Sequence, residues 1–328
     1  MFSILIVFLA FAFSPVLSWA CASCGCTLSS DWEQSSTTGF KFDLRYDYIN
    51  QSQLRSETSS ISPQAASKLL SSGNPQEVET YTKNNYITAT SEYSFNSSWK
   101  LSLQLPYIMR KHSTLGTASD GYTAGTGGGQ YDSETSNLGD AKLISRFQGF
   151  NEEHDFGVLF GLKLATGSHS LTGNSTDTAN SGPVAIDRGL QPGSGTTDLI
   201  VGAYFNQAMS KSWDYFGEGI YQTALGEKDA YKPGSALNFS FGFRYFGVEF
   251  MTPQLQINAR YVEHDTGANA DTVSTGGTIA YLSPGVGVPI GGSGVELYTF
   301  LQLPIFQNLF GVQLAPTYTF SLGARYLF

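Results

Sequence analysis

Three cysteines stand within six residues, Cys21-Ala22-Ser23-Cys24-Gly25-Cys26, and the chain has no others. Three thiolates this close suit a soft ion such as Cu(I) or Zn(II), so Cys21, Cys24 and Cys26 are candidate metal ligands. Two other fates stay open: a disulfide or partner bond in an oxidising compartment, or lipidation of Cys21, although Trp19 fits a lipid-attachment signal badly. Covalent haem attachment is not supported, because no His follows Cys24.

Hydrolytic chemistry finds less. The four histidines are His112, His154, His169 and His264. Ser113 and Ser168 adjoin two of them, but sequence neighbours do not make a triad, and no nucleophile elbow is present. The run Gly125-Thr126-Gly127-Gly128-Gly129 lacks the lysine and the strand-to-helix unit of a phosphate loop. A net charge of −9 disfavours nucleic acid as a partner. The chain is therefore not expected to be an enzyme, nor to carry a cofactor beyond Cu or Zn at the cysteines.

The remaining polar chemistry lies in alternation. Phe40, Phe42, Leu44, Tyr46 and Tyr48 share one parity, and Lys41, Asp43, Arg45 and Asp47 the other. A strand sends successive side chains to opposite faces, so one face is apolar and the other charged. A barrel in lipid needs this pattern with the apolar side outward. The same period returns from Trp99 to Met109, from Leu237 to Tyr245 and from Leu255 to Tyr261. Twelve such segments are expected: 39–51, 83–95, 98–110, 137–148, 156–166, 196–207, 212–225, 235–246, 253–263, 277–288, 294–305 and 315–328. Short connections alternate with longer ones rich in Gly, Ser, Thr and Asn, as periplasmic turns alternate with outer loops. An even count returns both termini to the periplasm. No convincing amphipathic helix is evident.

Residues 1–20 carry no charged side chain and are mostly apolar, broken by Pro15. They read as a signal peptide, with Ala20-Cys21-Ala22 offering a second cleavage point after residue 22; an uncleaved anchor helix is the alternative. Residues 21–38 form a polar periplasmic tail that holds the cysteines, and residues 39–328 the barrel. Beyond residue 20 no apolar run approaches the ~20 residues of a spanning helix. The chain ends Tyr318, Phe320, Leu322, Ala324, Tyr326, Phe328, all on one parity. Phe328 and Tyr326 thus resemble the terminal signal read by the bacterial barrel-assembly machinery.

Several short motifs carry a family resemblance. They are Gly139-Asp140-Ala141, Gly161-Leu162-Lys163-Leu164-Ala165-Thr166-Gly167, Gln191-Pro192-Gly193-Ser194-Gly195 with Asp198, Ser283-Pro284-Gly285, Gln302-Leu303-Pro304, and Gln313-Leu314-Ala315-Pro316 with Gly323. Over residues 135–328 the chain resembles the outer-membrane proteins grouped under the MetA pathway of phenol degradation, and is loosely similar to channels for fatty acids and aromatic compounds. It departs from that pattern at Ala165, where the family usually has Pro. The resemblance implies an all-β transmembrane barrel and a transport role in the bacterial outer membrane.

Parity assigns the lumen. Inward positions are Lys41, Arg45, Lys100, Arg110, Lys142, Arg146, Lys163, Arg244, Arg260 and Arg325, with Asp43, Asp47, Glu92, Asp140, Asp198, Asp214, Glu218 and Glu296. These charges either pair across strands and fill a narrow barrel, or line a path for solute. Phe216, Tyr298 and Phe300 are inward aromatics that could constrict it. Two functions follow. One is a channel for small solutes, including hydrophobic or aromatic ones. The other is a structural or receptor-like barrel whose CxxCxC tail binds a metal ion or a periplasmic partner. The surroundings in either case are outer-membrane lipid and lipopolysaccharide.

Overall fold

The computed structural model describes residues 38–71, 78–116, 130–176 and 182–328. The expected signal peptide and Cys21, Cys24 and Cys26 lie outside the described residues.

Alternation becomes strand wherever one parity can face lipid and the other a polar interior. The strands are β1 (Gly39–Glu57), β2 (Ser59–Ser60), β3 (Glu79–Ser94), β4 (Trp99–Thr114), β5 (Tyr131–Leu138), β6 (Ala141–Phe147), β7 (Phe156–Leu164), β8 (Thr172–Ser175), β9 (Pro183–Ala185), β10 (Asp198–Ala208), β11 (Trp213–Ala224), β12 (Ala236–Tyr245), β13 (Thr252–Val262), β14 (Gly277–Ile290) and β15 (Val295–Leu327). Eleven close an antiparallel barrel, and four short ones (β2, β5, β8 and β9) lie outside the ring. Closure pairs β1 with β15, from Lys41 opposite Leu327 upward, and with β3 on its other side. It leaves no strand edge facing hydrocarbon, where each unpaired peptide group costs several kcal/mol.

The last strand crosses the wall twice. Residues 295–309 of β15 pair with β14, and residues 309–327 pair with β1. The two legs also bond to each other: Leu327 N donates to Gly294 O at 3.1 Å, and Thr299 Oγ1 to Ser321 O at 2.9 Å. The turn between them uses Gly311 at φ 56°, a conformation glycine adopts without a Cβ clash. The connection expected at 306–314 is thus mostly strand, and the wall has the twelve crossings that alternation implies. Pro316 lacks an N–H, and the β1–β15 register slips there, with Thr317 bonding Asn50 from the bulge.

One other crossing is broken. Residues 99–104 of β4 pair with β6, and residues 107–114 pair with β5. Gly139-Asp140 interrupts that line, and above the break β5 pairs with β8 rather than with β7.

Outward residues sort by depth. Leu44, Leu103, Phe160, Val201, Phe239, Ile257 and Leu301 are exposed in the middle of the wall. Aromatic rings ring the short-turn rim. Trp99 meets Phe147 at 4.8 Å, Trp213 meets Tyr245 at 4.8 Å, and Phe328 meets Phe40 at 5.3 Å. Exposed Tyr107, Tyr221, Tyr261 and Tyr318 stand nearer the long loops. From Trp99 to Tyr107 a tilted strand climbs roughly 20 Å, close to the height of an apolar band between interfacial girdles.

Beyond that band the long-loop end has structure that periodicity did not reveal. β1, β3 and β4 extend past their expected ends, so His112 lies in a strand rather than a loop. A helix, α1 (Pro63–Ser71), starts where Ser62 Oγ accepts from Ala65 N at 3.2 Å. Ala66 is buried with Leu54, Val78, Val312 and Leu314. The absence of helix expected from the sequence is corrected, among the described residues, to this one short, packed α-helix.

Candidate functional site

All eighteen charged residues assigned inward are buried or half-buried in the barrel. Many pair with one another, within a strand, between adjacent strands or across the interior. Lys41 meets Glu92 at 3.0 Å, and Arg146 meets Glu218 at 3.5 Å. Arg244 clasps Asp214 with two nitrogens, Nε at 2.9 Å and Nη2 closer still. Arg325 lies 3.4 Å from Glu296 and 3.7 Å from Asp43, which also accepts from Tyr298 Oη at 2.9 Å. Arg45 Nε donates to Asp47 at 2.9 Å. Such pairs survive burial because each charge has a partner; removing one member typically costs about 3–5 kcal/mol.

Several of these pairs and four aromatic residues narrow the barrel toward the short-turn rim. Phe216, Tyr298, Phe300 and Tyr204 are buried there, and Tyr298 and Phe300 pack edge to face at 6.3 Å. Room for Phe216 comes from Gly242, where a Cβ would fall 2.5 Å from the ring. The constriction expected of Phe216, Tyr298 and Phe300 is therefore a packed layer.

Above it, toward the long loops, lies a cavity of about 330 Å³. Its wall includes Arg45, Arg110, Lys142, Lys163, Arg260, Asp140 and Asp198 from the inward set. Tyr86, Pro106, Ile108, Pro233, Ala236 and Val262 give it apolar patches. Asp47 also lines it, whereas Lys41, Asp43, Glu92, Lys100, Arg146, Asp214, Glu218, Arg244, Glu296 and Arg325 do not reach it.

Part of that wall is a loop. Residues 186–196 include a 3₁₀ turn (Arg188–Leu190) capped by Asp187 and followed by Gln191-Pro192-Gly193-Ser194. Inward strand residues hold it in place. Asp140 accepts from Gly167 N, Ser194 N and Ser194 Oγ, each at 2.9 Å. Lys163 bridges Asp140 at 3.2 Å and Asp198 at 2.9 Å, and donates to Ser194 Oγ. Arg110 reaches Gly189 O at 3.3 Å. Gly167 and Gly193 meet backbone to backbone: a Cβ on Gly193 would stand 2.6 Å from Gly167 C. Arg188 lies over the Tyr231 ring at 4.9 Å, and Tyr231 Oη donates to Asp265 at 2.9 Å.

Arg188, Gln191, Ser194, Tyr231 and Asp265 are cavity residues that strand periodicity did not assign. They sit in loops, where no period marks the inward side. The signal that could have found them is the glycine triplet Gly139, Gly167 and Gly193, each in a motif that carried the family resemblance.

Thr82 Oγ1 and Glu79 both contact Nδ1 of His112, at 2.8 and 3.8 Å. A relay needs nucleophile and carboxylate on opposite ring nitrogens, so this is a packing contact. His264 stacks on Phe310 at 4.8 Å, and burial pushes its pKa down to about 3, which keeps it uncharged. Among the described residues no group of three His, Cys, Asp or Glu side chains is arranged to hold a metal ion.

No protein-family model matches the chain, and no curated protein matches it. Solved structures do. The toluene transporter TbuX of Ralstonia pickettii aligns with a TM-score of 0.48 at 12% identity, over 89% of this chain and 90% of that one. An outer membrane channel from Pseudomonas putida F1 aligns with a TM-score of 0.62 at 13% identity, over 92% of this chain and 99% of that one. With this last likeness the fold is that of an outer-membrane β-barrel.

Proposed function

We propose that the chain is an outer-membrane channel that passes small solutes, including hydrophobic or aromatic ones. The observation that carries this reading is the cavity of about 330 Å³ inside a closed barrel, walled by a loop rather than by strand alone. Strand ladders are fixed, whereas a loop held by side-chain bonds can move between two arrangements and open a path. Tyr86, Ile108 and Val262 offer a solute apolar contact, and the charges around them hold water. In this reading the short-turn rim, with Gly39 and Phe328, faces the periplasm. The cysteine tail then hangs on that side, and the barrel-assembly machinery reads the terminal strand. The long loops meet lipopolysaccharide.

Proteoliposome swelling tests the reading. Vesicles carrying folded protein should swell in isotonic small solutes that the bare bilayer excludes, such as glycine or arabinose, faster than empty vesicles. Equal rates for every solute, from protein that migrates as a folded barrel, would oppose it.

A further inference from the structure

Ten charged side chains line the cavity, and their signs do not balance. Six are cations (Arg45, Arg110, Lys142, Lys163, Arg188 and Arg260) and four are carboxylates (Asp47, Asp140, Asp198 and Asp265). The surplus of the lining is two positive charges, one of which, Arg188, also meets Asp229 outside the lining at 3.4 Å; the net charge of the chain is −9.

The carboxylates are already engaged. Asp140 serves Gly167, Ser194 and Lys163. Asp198 accepts from Thr196 at 2.8 Å and Gln222 at 2.6 Å besides pairing with Lys163. Asp47 takes Ser321 Oγ at 2.6 Å and Arg45. Asp265 takes Tyr231 Oη and Gly234 N.

Lys142 is in a different position. Its neighbours across the ladder are Gln104 on β4 and Lys163 on β7, so no acid faces it and a like charge does. The charges that act on it are Arg260, Lys163 and Arg45, against Asp198 as the one carboxylate. Among the described residues its ammonium makes no hydrogen bond or ion pair. Arg260 directs Nη1 to a neutral acceptor, Asn238 Oδ1, at 2.8 Å. Like charges gathered in a partly desolvated space are costly until an anion joins them.

The rest of the wall says what kind of anion. Pro106 and Ile108 lie on β4, beside Gln104, and Ala236 and Val262 lie on β12 and β13, beside Arg260. An inorganic ion would leave those surfaces wet. We propose that the cavity binds a small organic anion, one carboxylate on a compact apolar body, with Lys142 and Arg260 holding the carboxylate. The inference uses the cavity of the proposed channel and names the solute class it favours, but binding itself requires no passage.

Calorimetry on the folded full-length barrel in detergent decides it, with sodium benzoate, benzyl alcohol and inorganic phosphate as probes. Benzoate should bind about tenfold or more tightly than benzyl alcohol or phosphate, as a charge-assisted contact plus an apolar one requires. Lys142→Gln and Arg260→Gln should each weaken benzoate about tenfold and leave benzyl alcohol unchanged, and Lys142→Arg should restore it. Benzyl alcohol or phosphate binding as well as benzoate, benzoate indifferent to both substitutions, or no benzoate binding by the wild type would each overturn the proposal. If Lys142→Gln fails to fold, the wild-type comparison of probes and Arg260→Gln decide. A barrel that binds benzoate yet transports nothing keeps this site and sinks the channel reading; one that transports without binding benzoate does the reverse.

Discussion

Asp140 ties two separate loop segments to the barrel, through Gly167 on one side and Ser194 on the other. Its position just past Gly139 lets the carboxylate reach both, because the strand line is interrupted there. Asp140→Ala should release residues 186–196 while Lys163 keeps Asp198 as a partner. The expected loss is about 3 kcal/mol, at the low end for breaking a buried pair. Trypsin should then cut after Arg188 in the variant at conditions where the wild type resists. Equal resistance would mean the loop is held by other contacts. At this scale parity found the strand residues of the cavity, including Lys142 and Arg260. It could not find Arg188 or Asp265, because a loop residue's direction is set by contacts distant in sequence and not by period.

Among the elements, β1 states the sidedness most clearly. Leu44 is 46% exposed, while Asp43 and Asp47 on the other parity are buried. Leu44→Arg should therefore cost ~2–4 kcal/mol, since an Arg near the bilayer midplane is desolvated on the lipid face. Ser102→Ala, an inward change of small volume on β4, should cost well under that. Urea unfolding of the barrel in vesicles reads both, and a reversed order would mean that the parity is off by one residue. The strand elements were legible because lipid enforces alternation over their full span. Helix α1 was not read, although Ser62-Pro63 is a fair start signal for it. Its nine residues are too few for a periodic stripe, and its place depends on Leu54, Val312 and Leu314 from far along the chain. Alternation gives the two legs of the β15 hairpin, but Gly and Asn around Gly311 mark a longer loop where the structure has a turn between two extended legs.

For the molecule as a whole, closure depends on the final strand meeting the first. Phe328 N donates to Phe40 O at 2.9 Å, and its ring packs on Tyr326 at 4.3 Å. Deleting Phe328, or Phe328→Asp, should lower the fraction of protein that inserts in cells and shows heat-modifiable migration. Unchanged insertion would argue that assembly does not use this end. In the proposed channel, solute crosses the closed barrel by a path walled by residues 186–196, and planar-bilayer recording of the purified protein reads that path. The wild type should give small stepwise currents and Asp140→Ala larger ones, because its loop is released. Silence from both, with each protein shown to be folded and inserted, would contradict it.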